Sequence, residues 1–215
     1  RTKREAEKAM AEKIAEITRG DYVEPARIPL RDLMIEWLEL NIKHRTSIKT
    51  YDLYRYLTHN FIISHIGEIP LDKLSPIQIQ KFYNKLLDMD KMHGEGKIST
   101  TTVRKVHNVL RAALDWGIKM KMLHSNVAKR VDLPKEKRTS VNVWTQEEAS
   151  AFLEVSKGHR FYPLFYVALS TGMRIGELLG LKWEDIDWDR EVIRVKRTLG
   201  KTSAGYILKE QPKTS

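Results

Sequence analysis

The sequence predicts a mainly α-helical protein of two domains, with a few short strands towards its C-terminal end. Apolar side chains recur at helical spacing through most of residues 30–121. Residues 133–144 are polar and basic, contain Pro134 and interrupt that pattern as a linker would. The chain has 215 residues, of which 41% are hydrophobic and 31% charged, so it can form one or two folded domains with a sizeable core.

Four helices are expected before the linker, each with its apolar residues on one stripe. The third begins with capping-box spacing at Ser75 and Gln78. The fourth covers about residues 100–121. The stripes run over residues 30–42, 51–61, 79–87 and 103–118.

One side of the fourth helix is basic. At about 100° per residue, its polar residues gather opposite the apolar stripe; they are Arg104, Asn108, Arg111 and Lys119, with Lys105 beside them. Residues 1–138 carry 27 basic and 18 acidic groups, hence nearly all of the chain's net charge of +10. This asymmetry indicates a polyanionic partner such as nucleic acid, although a basic protein with a solvated surface would show the same stripe.

The second part of the chain mixes helices and strands. Thr145 and Glu148 have capping-box spacing and begin a helix, and residues 161–170 are nearly all apolar, which predicts a fully buried helix. Residues 192–195 and 206–208 are expected to form short strands around a glycine-containing turn. Residues 200–202 look like the end of a phosphate-binding loop, but Val195 stands where that motif requires glycine.

Several classes of protein are not expected from the composition. The absence of cysteine excludes disulfides, thiolate zinc sites and cysteine nucleophiles, and the seven histidines lack metal-ligand spacing, so no metal site is expected. The sequence has no apolar run of about 20 residues and no signal peptide at its N-terminal end, so we expect a cytoplasmic protein without a membrane partner.

Residues 168–187, ALSTGMRIGELLGLKWEDID, carry the most chemical information. Arg174 follows a turn at Gly172 and is expected in the first helical turn after it, three positions before Glu177. A guanidinium held by a carboxylate near helix N–H groups suits a phosphate that gains charge during a reaction. An ordinary surface Arg–Glu pair has the same spacing.

The segment STGMRIGELLGLKWEDID, residues 170–187, closely resembles the first-arginine motif of the tyrosine recombinases, the phage integrase family. KEQPKTS, residues 209–215, resembles the segment that carries this family's catalytic lysine. The resemblance implies four parts: the end of an arm-site-binding region with its coupling helix (1–22), a helical core-binding domain (23–132), a linker (133–144) and the first part of an α+β catalytic domain (145–215).

This resemblance implies site-specific DNA recombination, in which strands are broken and rejoined through a 3′-phosphotyrosine link without a cofactor. Arg174 would be the first catalytic arginine, Glu177 its supporting carboxylate and Lys213 the general acid, with Lys196, Lys201 and Lys209 as competing lysines. An HxxR motif and the nucleophilic tyrosine would follow the lysine. We therefore expect a C-terminally truncated fragment that cannot cleave DNA alone.

The implied partner is duplex DNA at core recombination sites in a bacterial cell, bound by a tetramer with accessory proteins that bend DNA or set direction. The expected DNA contacts are Thr46, Lys49 and Thr50 at the start of the second helix, Arg104, Lys105, Asn108 and Arg111 on the fourth, and Lys201. A non-catalytic DNA-binding or regulatory protein on an integrase scaffold is the alternative. A helical interaction module without nucleic acid fits the charge asymmetry poorly.

Overall fold

The computed structural model describes residues 2, 7, 10, 27–92, 94–136, 140 and 142–210. The chain divides into two compact units, Arg1–Lys137 (unit 1) and Arg138–Ser215 (unit 2), and the division falls within the predicted linker. The predicted coupling helix, residues 1–22, lies outside the described residues except at three positions.

Unit 1 is a helical bundle, as the apolar periodicity predicts. Two of its helices continue as π-helical segments, and two 3₁₀ turns follow the second and fourth helices. The helices are α1 (Leu30–Glu36, continuing as Trp37–Ile42), α2 (Ile48–Leu57, continuing as Thr58–Ile63 and Ser64–Ile66), α3 (Pro76–Asp88) and α4 (Thr100–Lys119); the 3₁₀ turns are Leu71–Lys73 and Val127–Arg130. Within the described residues, none of the helices is long and apolar enough to cross a membrane.

Serine residues fix where three of these helices begin. Ser47 Oγ accepts the backbone N–H of Thr50 at 3.3 Å, and Ser99 Oγ accepts that of Thr102 at 3.2 Å. At α3 the bond runs the other way, because the Ser75 backbone N–H donates to the Gln78 side chain at 2.9 Å. Each bond satisfies a backbone group that the first turn of a helix leaves unpaired.

Helix α4 is the central element of unit 1, since it contacts α1, α2 and α3. Its inner side is fully buried, as Val103, Leu110 and Leu114 show. The core also contains a polar contact: the Tyr83 hydroxyl and His107 Nδ1 lie 3.0 Å apart. Burial raises the pKa of Tyr83 and lowers that of His107, so both groups are kept neutral.

Unit 2 contains three helices and two antiparallel strand pairs within residues 142–210. Its elements are α5 (Gln146–Ser156), α6 (Tyr162–Thr171), α7 (Ile175–Leu178), a 3₁₀ turn (Trp183–Asp185), β1 (Ile186–Asp187), β2 (Val192–Ile193), β3 (Thr198–Thr202) and β4 (Gly205–Lys209). Strand β1 pairs with β2, and β3 pairs with β4.

The strand pairing differs from the expected one. The strand at residues 206–208 is present, but its partner is β3 and not residues 192–195, of which Val192 and Ile193 pair with β1. A tight turn decides this register, because Gly205 adopts a positive φ of 99° and pairs directly with Thr202. Residues 200–202 therefore lie in a strand, which agrees with the rejection of a phosphate-binding loop.

The prediction of a fully buried helix at residues 161–170 is wrong for the described structure. No residue of α6 is buried, and Tyr166 and Leu169 are 52% and 42% exposed. Among the described elements α6 packs mainly against α5 and α7. A helix that is apolar on all sides is buried only when neighbours surround it.

The core of unit 1 gives a direct test of the packing. Leu110→Ala should lower the free energy of unfolding by about 2–5 kcal/mol in a urea titration, because the substitution leaves a cavity beside α4. Leu40→Ala is the matched control, since Leu40 is 68% exposed, and its effect should stay within about 0.5 kcal/mol. Equal losses from the two variants would contradict this packing.

Candidate functional site

A tight turn places Arg174 at the start of α7. Helix α6 ends at Gly172, whose positive φ of 67° reverses the chain while its N–H donates to the Ala168 carbonyl at 2.9 Å. Thr171 Oγ1 then accepts the backbone N–H of Met173 at 3.3 Å. Arg174 follows as the capping residue of α7, one position before the helix itself.

One carboxylate holds both ends of Arg174. Glu177 Oε2 accepts the backbone N–H of Arg174 at 3.0 Å, and Glu177 Oε1 accepts a guanidinium N–H at 3.1 Å. These two bonds, the backbone one first, lower the pKa of Glu177 and keep it ionised. The Glu177 side chain is only 12% exposed, whereas that of Arg174 is 72% exposed. Glu177 thus orients the arginine, and the guanidinium remains exposed to a ligand from solvent.

Two glycines, one in α7 and one just after it, let this segment lie directly on β3 and the residue before it. A Cβ atom at Gly176 would stand 2.5 Å from Thr198 Oγ1 and 2.8 Å from the Leu199 carbonyl oxygen. At Gly180 it would stand 3.0 Å from the Arg197 carbonyl oxygen. Only glycine permits this approach of backbone to backbone, which fixes Arg174 relative to the β3–β4 hairpin.

A buried ion pair lies beneath the same contact. Arg197 donates to Asp185 Oδ2 at 2.5 Å, with the two side chains 10% and 1% exposed, and its other terminal nitrogen donates to Glu184 at 2.9 Å. Asp185 Oδ2 also accepts the Lys182 backbone N–H at 3.0 Å, and Lys196 lies 3.3 Å from Oδ1. Burial opposes ionisation of Asp185, but these partners together hold its pKa below the ordinary value.

This ion pair was not predicted from the sequence. Asp185 and Arg197 are 12 positions apart, and neither belongs to an apolar periodicity. The available signal was the spacing of Lys182 and Asp185, since an acidic side chain three positions after a capping residue accepts that residue's backbone N–H.

The candidate lysines differ in their surroundings. Lys201 is exposed on β3 opposite Tyr206, and Lys209 is exposed at the end of β4. Lys196 is engaged with Asp185. Lys213, the predicted general acid, lies outside the described residues. Of the two described lysines in the β3–β4 hairpin, Lys201 is therefore closer in sequence to Thr198 and Leu199, which contact α7.

The basic side of α4 is present, and part of it is bonded within unit 1. Lys105, Asn108 and Arg111 are exposed. Arg104 is half-buried, and its Nε–H donates to the Pro134 carbonyl oxygen at 3.0 Å. Arg111 lies 3.9 Å from the Asp115 carboxylate, which Lys129 approaches at 2.7 Å.

The expected contacts at the start of α2 lie within a larger basic patch. Thr46 and Thr50 are half-buried and bonded to Ile42 and Ser47, whereas Lys49 is exposed. Next to them three exposed basic residues were not singled out from the sequence: Lys43, His44 and Arg45. The signal was the run NIKHRTSIK, which puts positive charge beside a helix N-terminus that itself favours anions.

Comparison with known proteins agrees with the two units. Residues 30–87 match the family described as phage integrase, N-terminal SAM-like domain, and residues 142–213 match the phage integrase family. The tyrosine recombinase XerC-like protein of Caldanaerobacter subterraneus subsp. tengcongensis is 33% identical over 209 residues, which cover 93% of this chain and 51% of that protein. This chain belongs to the phage integrase family of tyrosine recombinases.

Solved integrase structures share the fold. The Tn1549 transposon integrase in complex with transposon right end DNA has a TM-score of 0.69 at 22% identity, over 87% of this chain and 58% of that one. Lambda integrase bound to DNA has a TM-score of 0.61 at 16% identity, over 86% and 60%. The integrase chain described here thus spans about half of its XerC-like relative and less than two thirds of these structures.

The buried pair should decide the stability of unit 2 of this integrase chain. Arg197→Met leaves Asp185 without its buried partner, so hydrogen exchange of the β3 amides, followed by NMR, should accelerate about tenfold or more. Arg194→Met is the matched control, because Arg194 pairs with Asp187 at 2.9 Å while 51% exposed. If both variants exchange at the same rate, the buried pair does not support this unit.

Proposed function

We propose that this chain acts in site-specific DNA recombination, binding duplex DNA through unit 1 and supplying a catalytic arginine from unit 2. The observation that carries the proposal is the Arg174–Glu177 arrangement, which presents an oriented and exposed guanidinium within the matched integrase segment. The DNA-bound states of the Tn1549 and lambda integrases support duplex DNA as the partner.

Binding by unit 1 proceeds mainly through phosphates. Lys105, Asn108 and Arg111 on α4 and the patch at the start of α2 form the DNA-binding face, on two helices that pack on each other. Lysine and arginine contacts to phosphates fix position on the duplex, while an Asn or Arg that reaches a base edge supplies sequence preference. On this face Asn108 is the base-reading candidate and Arg111 a phosphate contact.

The proposed chemistry is transfer of a phosphoryl group between two oxygens. A tyrosine oxygen attacks the scissile phosphorus, the bond to the 5′ oxygen breaks, and a 3′-phosphotyrosyl link retains the phosphodiester energy. The Arg174 guanidinium stabilises the negative charge that grows on the non-bridging oxygens, with Glu177 holding it in place. The nucleophilic tyrosine of this proposal lies C-terminal to the lysine segment, as the resemblance to the family implies.

Lys213 is the proposed donor of the proton that the departing 5′ oxygen takes up, and Lys201 is its competitor. Lys201 lies on β3, two residues after Leu199, whose backbone meets α7, and contacts DNA in this proposal. Assembly as a tetramer on DNA, with accessory proteins that bend the duplex, completes the proposed reaction.

Salt dependence tests the DNA-binding face. Duplex affinity of the chain should fall steeply between about 50 and 200 mM salt, with a logarithmic slope of about −0.9 for each neutralised phosphate. Alanine at both Lys105 and Arg111 should make that slope shallower, by about 0.9 for each phosphate that is no longer neutralised. Alanine at both Lys81 and Lys85, exposed on α3, removes the same charge and should leave the slope unchanged. Equal changes from both pairs would show a non-specific charge effect.

Arg174 tests the catalytic part in the complete recombinase. Arg174→Lys keeps the charge but loses the planar fork, so strand cleavage should fall about 100- to 1000-fold while DNA affinity hardly changes. Arg190→Lys, at another exposed arginine of unit 2, is the control and should cleave normally. Normal cleavage by Arg174→Lys would reduce Arg174 to a structural residue.

A modified substrate distinguishes the proposed role of Arg174 from that of the general-acid lysine. A scissile phosphate with a bridging 5′ sulfur needs no proton for departure, so it should restore cleavage by Lys213→Ala but much less by Arg174→Lys. Restoration of Lys201→Ala in place of Lys213→Ala would transfer the general-acid role to Lys201.

A further inference from the structure

The segment that follows the helical bundle of unit 1, residues 131–134, packs against the bundle. Val131 and Leu133 are half-buried and pack against the hydrophobic core, while Asp132 between them is exposed. This alternation is that of an extended segment lying on a surface with one side inward. The first residue of the predicted linker, Leu133, is thus packed on the bundle.

Two side chains hold the backbone of this segment. The Asp132 backbone N–H donates to Gln80 Oε1 at 3.0 Å, and the Pro134 carbonyl oxygen accepts the Arg104 Nε–H at 3.0 Å. Gln80 lies on α3 and Arg104 on α4, 52 and 30 positions away along the sequence. Neither bond arises from local chain geometry, so both depend on the folded bundle.

Arg104 makes its bond from within the DNA-binding face. It lies one position before Lys105 and one helical turn from Asn108, both exposed, whereas Arg104 is half-buried. A guanidinium has five N–H donors in a fixed fork, so it can use Nε–H on one partner and its terminal nitrogens on another. A lysine in the same place would carry the charge without this double contact.

We propose that Gln80 and Arg104 are positioning residues that fix the point where the interdomain linker leaves the DNA-binding unit. Arg104 couples that point to DNA, because its terminal N–H groups have no hydrogen-bond partner among the described residues and can bind a phosphate while Nε–H holds Pro134. This second part rests on the proposed function. Arg104 then sets the start of the linker on bound DNA and is not a reader of a base.

Hydrogen exchange of the whole chain without DNA tests the positioning role. The Asp132 amide should exchange about fivefold or more faster in Gln80→Ala, which removes its acceptor, and should also accelerate in Arg104→Ala and Arg104→Lys, which release the nearby Pro134 carbonyl. Lys105→Ala, at the neighbouring exposed residue of α4, should leave its exchange unchanged. Unchanged exchange of the Leu110 amide in every variant shows that the bundle is folded.

Duplex binding by the same variants tests the coupling. Arg104→Ala should neutralise one phosphate fewer, so its salt slope becomes shallower by about 0.9, while Arg104→Lys and Gln80→Ala keep the full slope. DNA should slow exchange of the Asp132 amide in the unmodified chain and have little effect on it in Arg104→Lys.

The outcomes separate this inference from the proposed function. Normal exchange in Arg104→Ala and Gln80→Ala would overturn the positioning role even if the chain binds DNA. Accelerated exchange in a chain that fails to bind duplex DNA would support the positioning role and reject the proposed function. If Arg104→Ala has a shallower salt slope but normal exchange of the Asp132 amide, Arg104 contacts DNA without positioning the linker.

Discussion

The buried pair of Asp185 and Arg197 is the interaction on which the arrangement of unit 2 depends. Among the described residues of that unit, Leu178 is the one buried hydrophobic side chain, so apolar burial contributes little to holding its elements together. The pair instead ties the turn after α7 to the residue before β3, and Gly176 in α7 and Gly180 after it let the two backbones touch. A buried charge without its partner is strongly unfavourable, so loss of either residue should disturb this geometry. Glu177 orients the Arg174 side chain, whereas the contact between the α7 segment and β3 fixes the position of its backbone.

Unit 1, in contrast, is held together by a hydrophobic core. One side of α4 is completely buried among apolar side chains, and its other side presents basic and polar groups, so the helix that completes the core also carries the proposed DNA-binding face. In that proposal, a rigid support keeps the phosphate-binding side chains in register without a large entropic cost on binding. The bond from Arg104 to Pro134 extends that support to the segment that leads out of the unit.

The features predicted correctly from the sequence are local or periodic. The bundle follows from apolar spacing, and the contact between Arg174 and Glu177 follows from a separation of three residues at a helix start. The features missed depend on distant neighbours: the partner of Arg197, the strand that pairs with residues 206–208, and the exposure of α6. Strand β3, TLGKT, lacks the alternation that marks a half-buried strand, and the burial of α6 depends on what surrounds it rather than on its composition.

Titration of the ¹⁵N-labelled chain with a duplex, followed through its backbone amide resonances, tests the DNA-binding face most directly. Shift changes within unit 1 should concentrate at residues 43–50 and on the exposed side of α4, around Lys105, Asn108 and Arg111. The exposed side of α3, which carries Lys81 and Lys85, should remain unperturbed. Changes concentrated on α3, or an absence of saturable changes at low salt, would contradict the assignment of the DNA-binding face and with it the proposed role in recombination.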